Sequence, residues 1–459
     1  MRSTDKFGRA PLGVLLREQA IPASVGILVM SIYGIVDTIF VGRFVGSEGI
    51  GAITVVLPIT FLISSIGMAI GIGGASVLSR SLGSENKEKA FFTFGNQVIM
   101  TIVFALIFMF VGYYFMESVI TLFGGKGAIK QPSIDYFTII LIGVPFLAWA
   151  MMSNNVIRAE GHPRVAMYVM LVPAIANIFL DPIFIVFFDW GLKGAAWATT
   201  ISYIASAIYT LWHFTNGKSQ LLLKRKYFYP KLGLIKEISG LGAVTLARQG
   251  VISILATVLN NSLFFYGGEQ ALSVYGIINR VLMFANFPVL GITQGFVPIA
   301  GYNYGAKLKN RVREILKISI VSASVISFMI FAILMIFAGD IASFFTTNQL
   351  LIEDTAPALR TIFLATPLLA VSLIISALYQ STGHALPALM LALTKQGFFL
   401  IPLVLILPVY FGIYGIWIAF PIADVGAALV SFIYYKLNGI KYRENPSVDE
   451  MPLDTGVQI

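Results

Sequence analysis

The chain has 459 residues, of which 57% are hydrophobic and only 12% charged, whereas soluble domains carry about a quarter charged residues; so much apolar surface excludes a water-soluble globular fold. The formal net charge of +9 would point to nucleic acid in a soluble protein, but in a membrane chain it reads as a topology signal and a contact with anionic headgroups. There is no cysteine, and His162, His213 and His384 are the only histidines, which leaves no disulfide framework, no thiolate nucleophile and little basis for metal catalysis.

Arg2, Lys6, Arg9 and Arg17 precede the first apolar segment. That segment contains Asp37 and no small-residue cleavage pattern, so it reads as a retained first span and not as a signal peptide. The apolar runs, such as 99–115 and 321–337, approach the ~20 residues a helix needs to cross ~30 Å of hydrocarbon and lack the two-residue period of membrane strands. Punctuation by loops predicts spans at 18–42, 51–79, 92–116, 134–157, 165–188, 194–214, 239–266, 271–300, 316–338, 357–380, 387–410 and 413–435. Gly71-Ile72-Gly73-Gly74 lies inside the second of these, without the strand and lysine of a phosphate loop, and suits close helix packing instead. Lys224-Arg225-Lys226 belongs to a charged central loop, and the tail beyond Arg443 is polar and expected to be disordered.

An even number of spans puts both ends on one side, and 23 of the 31 Lys and Arg fall on that side. Arg43, Lys126, Lys130, Lys193 and Arg360 are the five that lie opposite, so the positive-inside rule predicts cytoplasmic termini.

The two halves repeat. Gly83, Pro145 and the pair Gly161-His162 recur 222 residues later as Gly305, Pro367 and Gly383-His384, and Glu48 and Gly194 recur as Glu269 and Gly415 one residue earlier in register. Halves with an even number of spans share orientation, so they should be related by an axis along the membrane normal with a cavity between them. The expected organisation is an N-lobe over 1–214, a linker over 215–238, a C-lobe over 239–438 and a tail over 439–459. The fold class is an all-α integral membrane protein of twelve transmembrane helices in two parallel six-helix repeats.

Four local motifs then stand in a telling order: Val36-Asp37-Thr38-Ile39-Phe40-Val41-Gly42 in span 1, Arg158-Ala159-Glu160-Gly161 after span 4, Asn177-Ile178-Phe179-Leu180-Asp181-Pro182 in span 5, and Gly194-Ala195-Ala196-Trp197-Ala198-Thr199 opening span 6. On these the chain resembles the MATE (multidrug and toxic compound extrusion) transporters over essentially its whole length. The resemblance implies two six-helix lobes, export of amphipathic and often cationic compounds, and drive by an H⁺ or Na⁺ gradient. Some members carry acids in spans 7 and 10. Here span 7 offers Arg248-Gln249 and Asn260-Asn261 and span 10 only Gln380, which is similar to the branch with coupling acids confined to the N-lobe.

Ionisable groups at membrane depth are expensive and mark function. Of 22 acids only Asp37, Asp181 and Asp424 fall well inside predicted spans. The repeat maps Asp181 onto Pro402 or Leu403, Asn177 onto Phe398 or Phe399, and Asp37 near Val258, Leu259 or Asn260, so the helical scaffold does not require the acids. Asn177 and Asp181 are spaced i, i+4 and share a helix face. Should spans 1 and 6 pack beside span 5, Asp37 and Thr199 complete a cage of hard oxygens suited to Na⁺ or a shared proton, and the family resemblance supports these four positions. Two carboxylates in a poorly solvated pocket cannot both stay ionised without a cation. The structural alternatives are that Asp181 caps a break at Pro182 and that Asp37 satisfies a backbone group.

Asp424 is expected to pair with Arg248 or Lys395 across the C-lobe, or else to serve a cavity. Tyr136, Asn154, Asn155, Arg248, Asn260 and Asp424 are the candidate substrate-cavity residues. His162 and His384 fall in matching loops as turn residues. No cofactor is expected; the partners are small-molecule drugs or toxic metabolites and the lipid bilayer, with no nucleic acid, for a monomer in a bacterial inner membrane. The competing function is a flippase for lipid-linked precursors, for which Arg248, Arg280 and Lys395 supply few cavity cations. An enzyme would need a clustered nucleophile or metal set, which the sequence lacks, and a channel would need re-entrant filter segments.

Overall fold

A computed structural model describes residues 4–217, 219–221 and 224–440; the expected polar tail beyond Arg443 lies outside them. Among the described residues the backbone is helical throughout its ordered elements and no strand occurs. That is what a bilayer demands, since a helix pairs its backbone polar groups within itself. The N-lobe helices are Leu12–Phe44 (α1), Ser47–Gly83 (α2), Lys87–Tyr114 (α3), Lys130–Ala159 (α4), Pro163–Asp181 (α5) and Gly191–Thr215 (α6). α5 continues into a wider π-helical turn at Pro182–Phe187.

The C-lobe hides its boundaries in two long helical stretches. Leu232–Gly305 is 74 residues long and Ile401–Asn438 extends the stretch begun at Ala385, and each is two spans meeting at a left-handed glycine, Gly268 at φ 63° and Gly412 at φ 57°. A side chain rarely adopts that conformation, and glycine adopts it freely. These breaks define α7 (232–267), α8 (269–305), α11 (385–411) and α12 (413–438), with Lys309–Phe345 as α9 between them. Gln349–Phe363 and Thr366–Ser381 form one span, α10, bent by 46°. With the two long stretches divided at Gly268 and Gly412, the described residues contain twelve helices of membrane-spanning length, six in each lobe.

The repeat is written into the backbone as well as the side chains. Left-handed residues recur 222 positions apart at Gly46 and Gly268, Glu85 and Lys307, Gly161 and Gly383, and Gly217 and Gly439. The turns they make match bond for bond: the His162 amide donates to the Ile157 carbonyl as His384 does to Tyr379.

The lobes meet through glycines, and the meeting is reciprocal. A Cβ on Gly83 would stand 2.0 Å from the Tyr302 carbonyl oxygen, and one on Gly305 would stand 2.0 Å from that of Arg80. Gly305 is the repeat partner of Gly83 and Tyr302 that of Arg80, so α2 and α8 use the same patch on each other, as a two-fold contact requires. The flanking seams follow the same rule: Gly73 abuts Ile238 and Gly242 of α7, and Gly295 abuts Gln19 and Ala20 of α1. Polar contacts reinforce them. The Ser76 hydroxyl donates to the Gln380 carbonyl at 2.6 Å, and Glu237 pairs with Arg80 at 3.0 Å and with Lys89 at 3.2 Å. Among the described residues these joints all lie between the terminus-bearing face and mid-membrane, Gly291 against Ser24 being the deepest.

Two connecting segments strap this face. Asp5–Arg9 crosses onto the C-lobe, where the Phe7 carbonyl accepts from Asn303 and Arg311, each at 3.0 Å. The linker stays on the N-lobe: buried Glu160 accepts from the Ser219 hydroxyl and the amides of Gln220 and Leu221, and Asn96 accepts from the Lys231 amide.

Candidate functional site

Three N-lobe helices bring four polar residues together in the half of the lobe away from the termini. Pro173 within α5 has no amide hydrogen to give the Val169 carbonyl, and the Ser206 hydroxyl of α6 supplies one at 2.8 Å, which fixes α6 against α5. The Asn177 side chain then donates to the Thr199 hydroxyl at 3.3 Å. One turn further on, Asp181 closes α5 at the point where Pro182 opens the π-helical turn. α1 packs along α5 and places Asp37 opposite, so that the Asp37 and Asp181 carboxyls lie within side-chain hydrogen-bonding range of each other.

All four side chains are buried, Asn177 and Asp181 completely. Read as carboxylates, the two acids supply only acceptors: among the described residues both Asp181 oxygens, Asp37 Oδ1 and Asn177 Oδ1 have no donor. Buried acceptors without donors are costly, and a proton shared between the carboxyls or a cation between the four oxygens relieves that cost. Hard oxygen ligands of this kind suit Na⁺ and not a soft transition metal. Among the described residues no three His, Asp or Glu side chains cluster as a metal centre would need.

Three tyrosines stand beside the acids. Tyr136 of α4, a candidate cavity residue, and Tyr33 of α1 lie near Thr199, and Tyr203 of α6 stands near Asp37. Sequence reasoning passed over Tyr33 and Tyr203, although spacing offered a signal: Tyr33 is one turn before Asp37 and Tyr203 one turn after Thr199, each on the same helix face.

The remaining candidates lie elsewhere. Asn154 donates to the Ala166 carbonyl and accepts from Arg158 at 3.1 Å, which ties α4 to α5 toward the terminus-bearing face. Asn155 donates to its own helix at Met151 and touches Gly71. In the C-lobe Asp424 pairs with Lys395 at 2.5 Å and not with Arg248. Arg248 Nε has no partner among the described residues, and Asn260 is exposed on α7.

The equivalent place in the C-lobe is apolar. The repeat carries Asp37 to Val258, Leu259 or Asn260, of which Asn260 is exposed on α7, Tyr136 to Ala358, Asn177 to Phe398 or Phe399, and Asp181 to Pro402 or Leu403. Val258, Leu259, Ala358, Phe399 and Leu403 all belong to one hydrophobic cluster. One architecture thus holds a polar cage in one lobe and a packed core in the other.

Comparison with known proteins follows the same division. The MatE family profile matches twice, over residues 22–183 and 243–406, one match per lobe at the interval of the repeat. Multidrug export protein MepA of Staphylococcus aureus (strain NCTC 8325 / PS 47) is 27% identical over 450 residues, 98% of this chain and 98% of MepA. MepA of Staphylococcus haemolyticus (strain JCSC1435) is 27% identical over 419 residues, 91% of this chain and 92% of its own length. Among solved structures, the outward-facing conformation of a multidrug resistance MATE family transporter of the MOP superfamily superposes with a TM-score of 0.89 at 25% identity, over 94% of this chain and 97% of that one.

Proposed function

This chain belongs to the MatE family, hence is a transporter and not an enzyme, and we propose that it exports amphipathic, often cationic drugs or toxic metabolites in exchange for H⁺ or Na⁺. The observation that carries this reading is the asymmetry of the lobes: Asp37, Asn177, Asp181 and Thr199 form a buried cage where the repeat-related positions pack as hydrocarbon. A fold that builds the same helices without acids has no structural need of them, so their charge serves a mobile cation. When the cation enters, it joins the two carboxyls and draws α1 toward α5; when it leaves, their repulsion favours a different arrangement of α1. The transported compound shifts the equilibrium between the two arrangements only by the difference in its affinity for them.

The excess of basic residues on the terminus-bearing face supports placing that face in the cytoplasm, for a monomer in the inner membrane with its lobes divided in the linker at 215–238. Glycine contacts closed on that side support an outward-facing arrangement. Everted membrane vesicles containing the protein test the function: they should take up a fluorescent organic cation when a pH or Na⁺ gradient is imposed, and the effective gradient identifies the coupling ion. Uptake under neither gradient, with translocation of a pyrophosphate-linked lipid instead, would favour a flippase.

A further inference from the structure

A groove of about 740 Å³ runs down the outside of the C-lobe between α9, α10 and α12. It exists because α10 bends by 46° at Leu364–Ala365, with Pro367 just beyond the bend and Pro421 facing it from α12. Its floor is apolar, contributed by Leu364, Leu368, Ile418, Ile422 and Val425. The face of α12 that forms one wall stays exposed and apolar through Leu429 and Ile433 to Leu437, at the level where the lobes seal against each other. A face open along the entire helix, sealed half included, is the face that meets lipid.

The groove has one charged end. Tyr414 opens α12 on the side opposite the termini, at the level where aromatic residues mark the membrane interface, and Arg360 stands at the same end. Its Nε donates to the Met335 carbonyl at 3.0 Å, which fixes the guanidinium; among the described residues no acid pairs with it, and the acid on its own helix face, Glu353, lies two turns away and accepts from Gln349. From Tyr414 to Val425 the helix rises roughly 16 Å, about half of the ~30 Å hydrocarbon core.

We propose that this groove is a binding site for an anionic glycerophospholipid of the leaflet opposite the termini, with the phosphate and its anionic headgroup on Arg360 and one acyl chain along the α10–α12 cleft. The charge, the interfacial depth of the arginine and the one-leaflet length of the cleft each match that class of lipid. Arginine suits it because its planar fork binds phosphate oxygens in pairs. The site is independent of the cation cage in the other lobe.

The test uses the purified full chain in mixed micelles with phosphatidylglycerol or phosphatidylcholine, read as lipid retained in native mass spectrometry and as the rise in melting temperature. The protein should retain phosphatidylglycerol roughly tenfold better than phosphatidylcholine, the scale of one charge-assisted contact. Arg360→Gln should bring the two lipids to parity, and Lys126→Gln, which removes a charge on the same side of the other lobe, should leave the preference intact. Leu368→Trp, which fills the cleft, should weaken retention of both lipids and decides the matter should Arg360→Gln not fold. Equal retention by the unaltered protein, a preference that survives Arg360→Gln, a loss shared by Lys126→Gln, retention undiminished by Leu368→Trp, or displacement of the lipid by the exported cation would each overturn the proposal.

Discussion

At the scale of single residues, buried charges fall into two kinds. Asp424 has a cation of its own, Lys395, at 2.5 Å; Asp37 and Asp181 face each other with acceptors only. Removing one member of a buried pair strands the other, at a cost of about 3 to 5 kcal/mol. Asp424→Asn should therefore lower the melting temperature by several degrees, and joint replacement of Asp424 and Lys395 by Asn and Met should recover most of the loss. A double-mutant cycle by thermal unfolding measures this; additive losses would show that the pair is not coupled. The partner of Asp424 was not legible in the sequence, because Arg248 and Lys395 sit at similar depth and only packing chooses between them. Asp181 with Asn177 was legible, since i, i+4 spacing is a local property. Tyr33 and Tyr203 were equally local, and were overlooked because tyrosine is common in membrane helices and carries no cost that marks it.

At the scale of elements, the reciprocal contact of α2 and α8 sets how close the lobes come. The sequence already displayed Gly83 and Gly305 as repeat partners, but that each lies on the other helix's backbone follows only from the way the lobes meet. An alanine at either position would overlap a carbonyl oxygen, and overpacking of this kind costs about 1 to 3 kcal/mol. Gly83→Ala and Gly305→Ala should each shift the balance away from the sealed arrangement by roughly 5- to 150-fold, and the double variant should be little worse than either, because one separation relieves both clashes. Alkylation of a cysteine placed at Ser79, which lies beside Gly301 in this seam, reports the change: faster labelling in both single variants is expected, and unchanged labelling would mean that the glycines do not set the closure. The span boundaries at Gly268 and Gly412 were legible because a glycine punctuates an apolar run. The bend in α10 and the widened turn after Asp181 were not, since each depends on what packs alongside.

At the scale of the whole molecule, topology sets the direction of export. A cysteine introduced at Lys224 should resist an impermeant thiol reagent in intact cells and react in everted vesicles; reaction in intact cells would reverse the membrane orientation and the direction of export with it. The two-lobe fold was visible in the repeat alone, whereas the crossing of Asp5–Arg9 onto the C-lobe was not: the segment lies within residues 1–214, yet its Phe7 joins a hydrophobic cluster that the start of α1 shares with C-lobe helices. The coupling claim rests on the difference between the lobes, and one comparison tests it most directly. Gradient-driven uptake of a fluorescent cation into everted vesicles should fall by tenfold or more in Asp181→Asn, at unchanged expression and melting temperature, and should persist in the folded fraction of Asp424→Asn. Uptake that survives Asp181→Asn and vanishes in a well-folded Asp424→Asn protein would move the coupling site to the C-lobe and contradict the assignment.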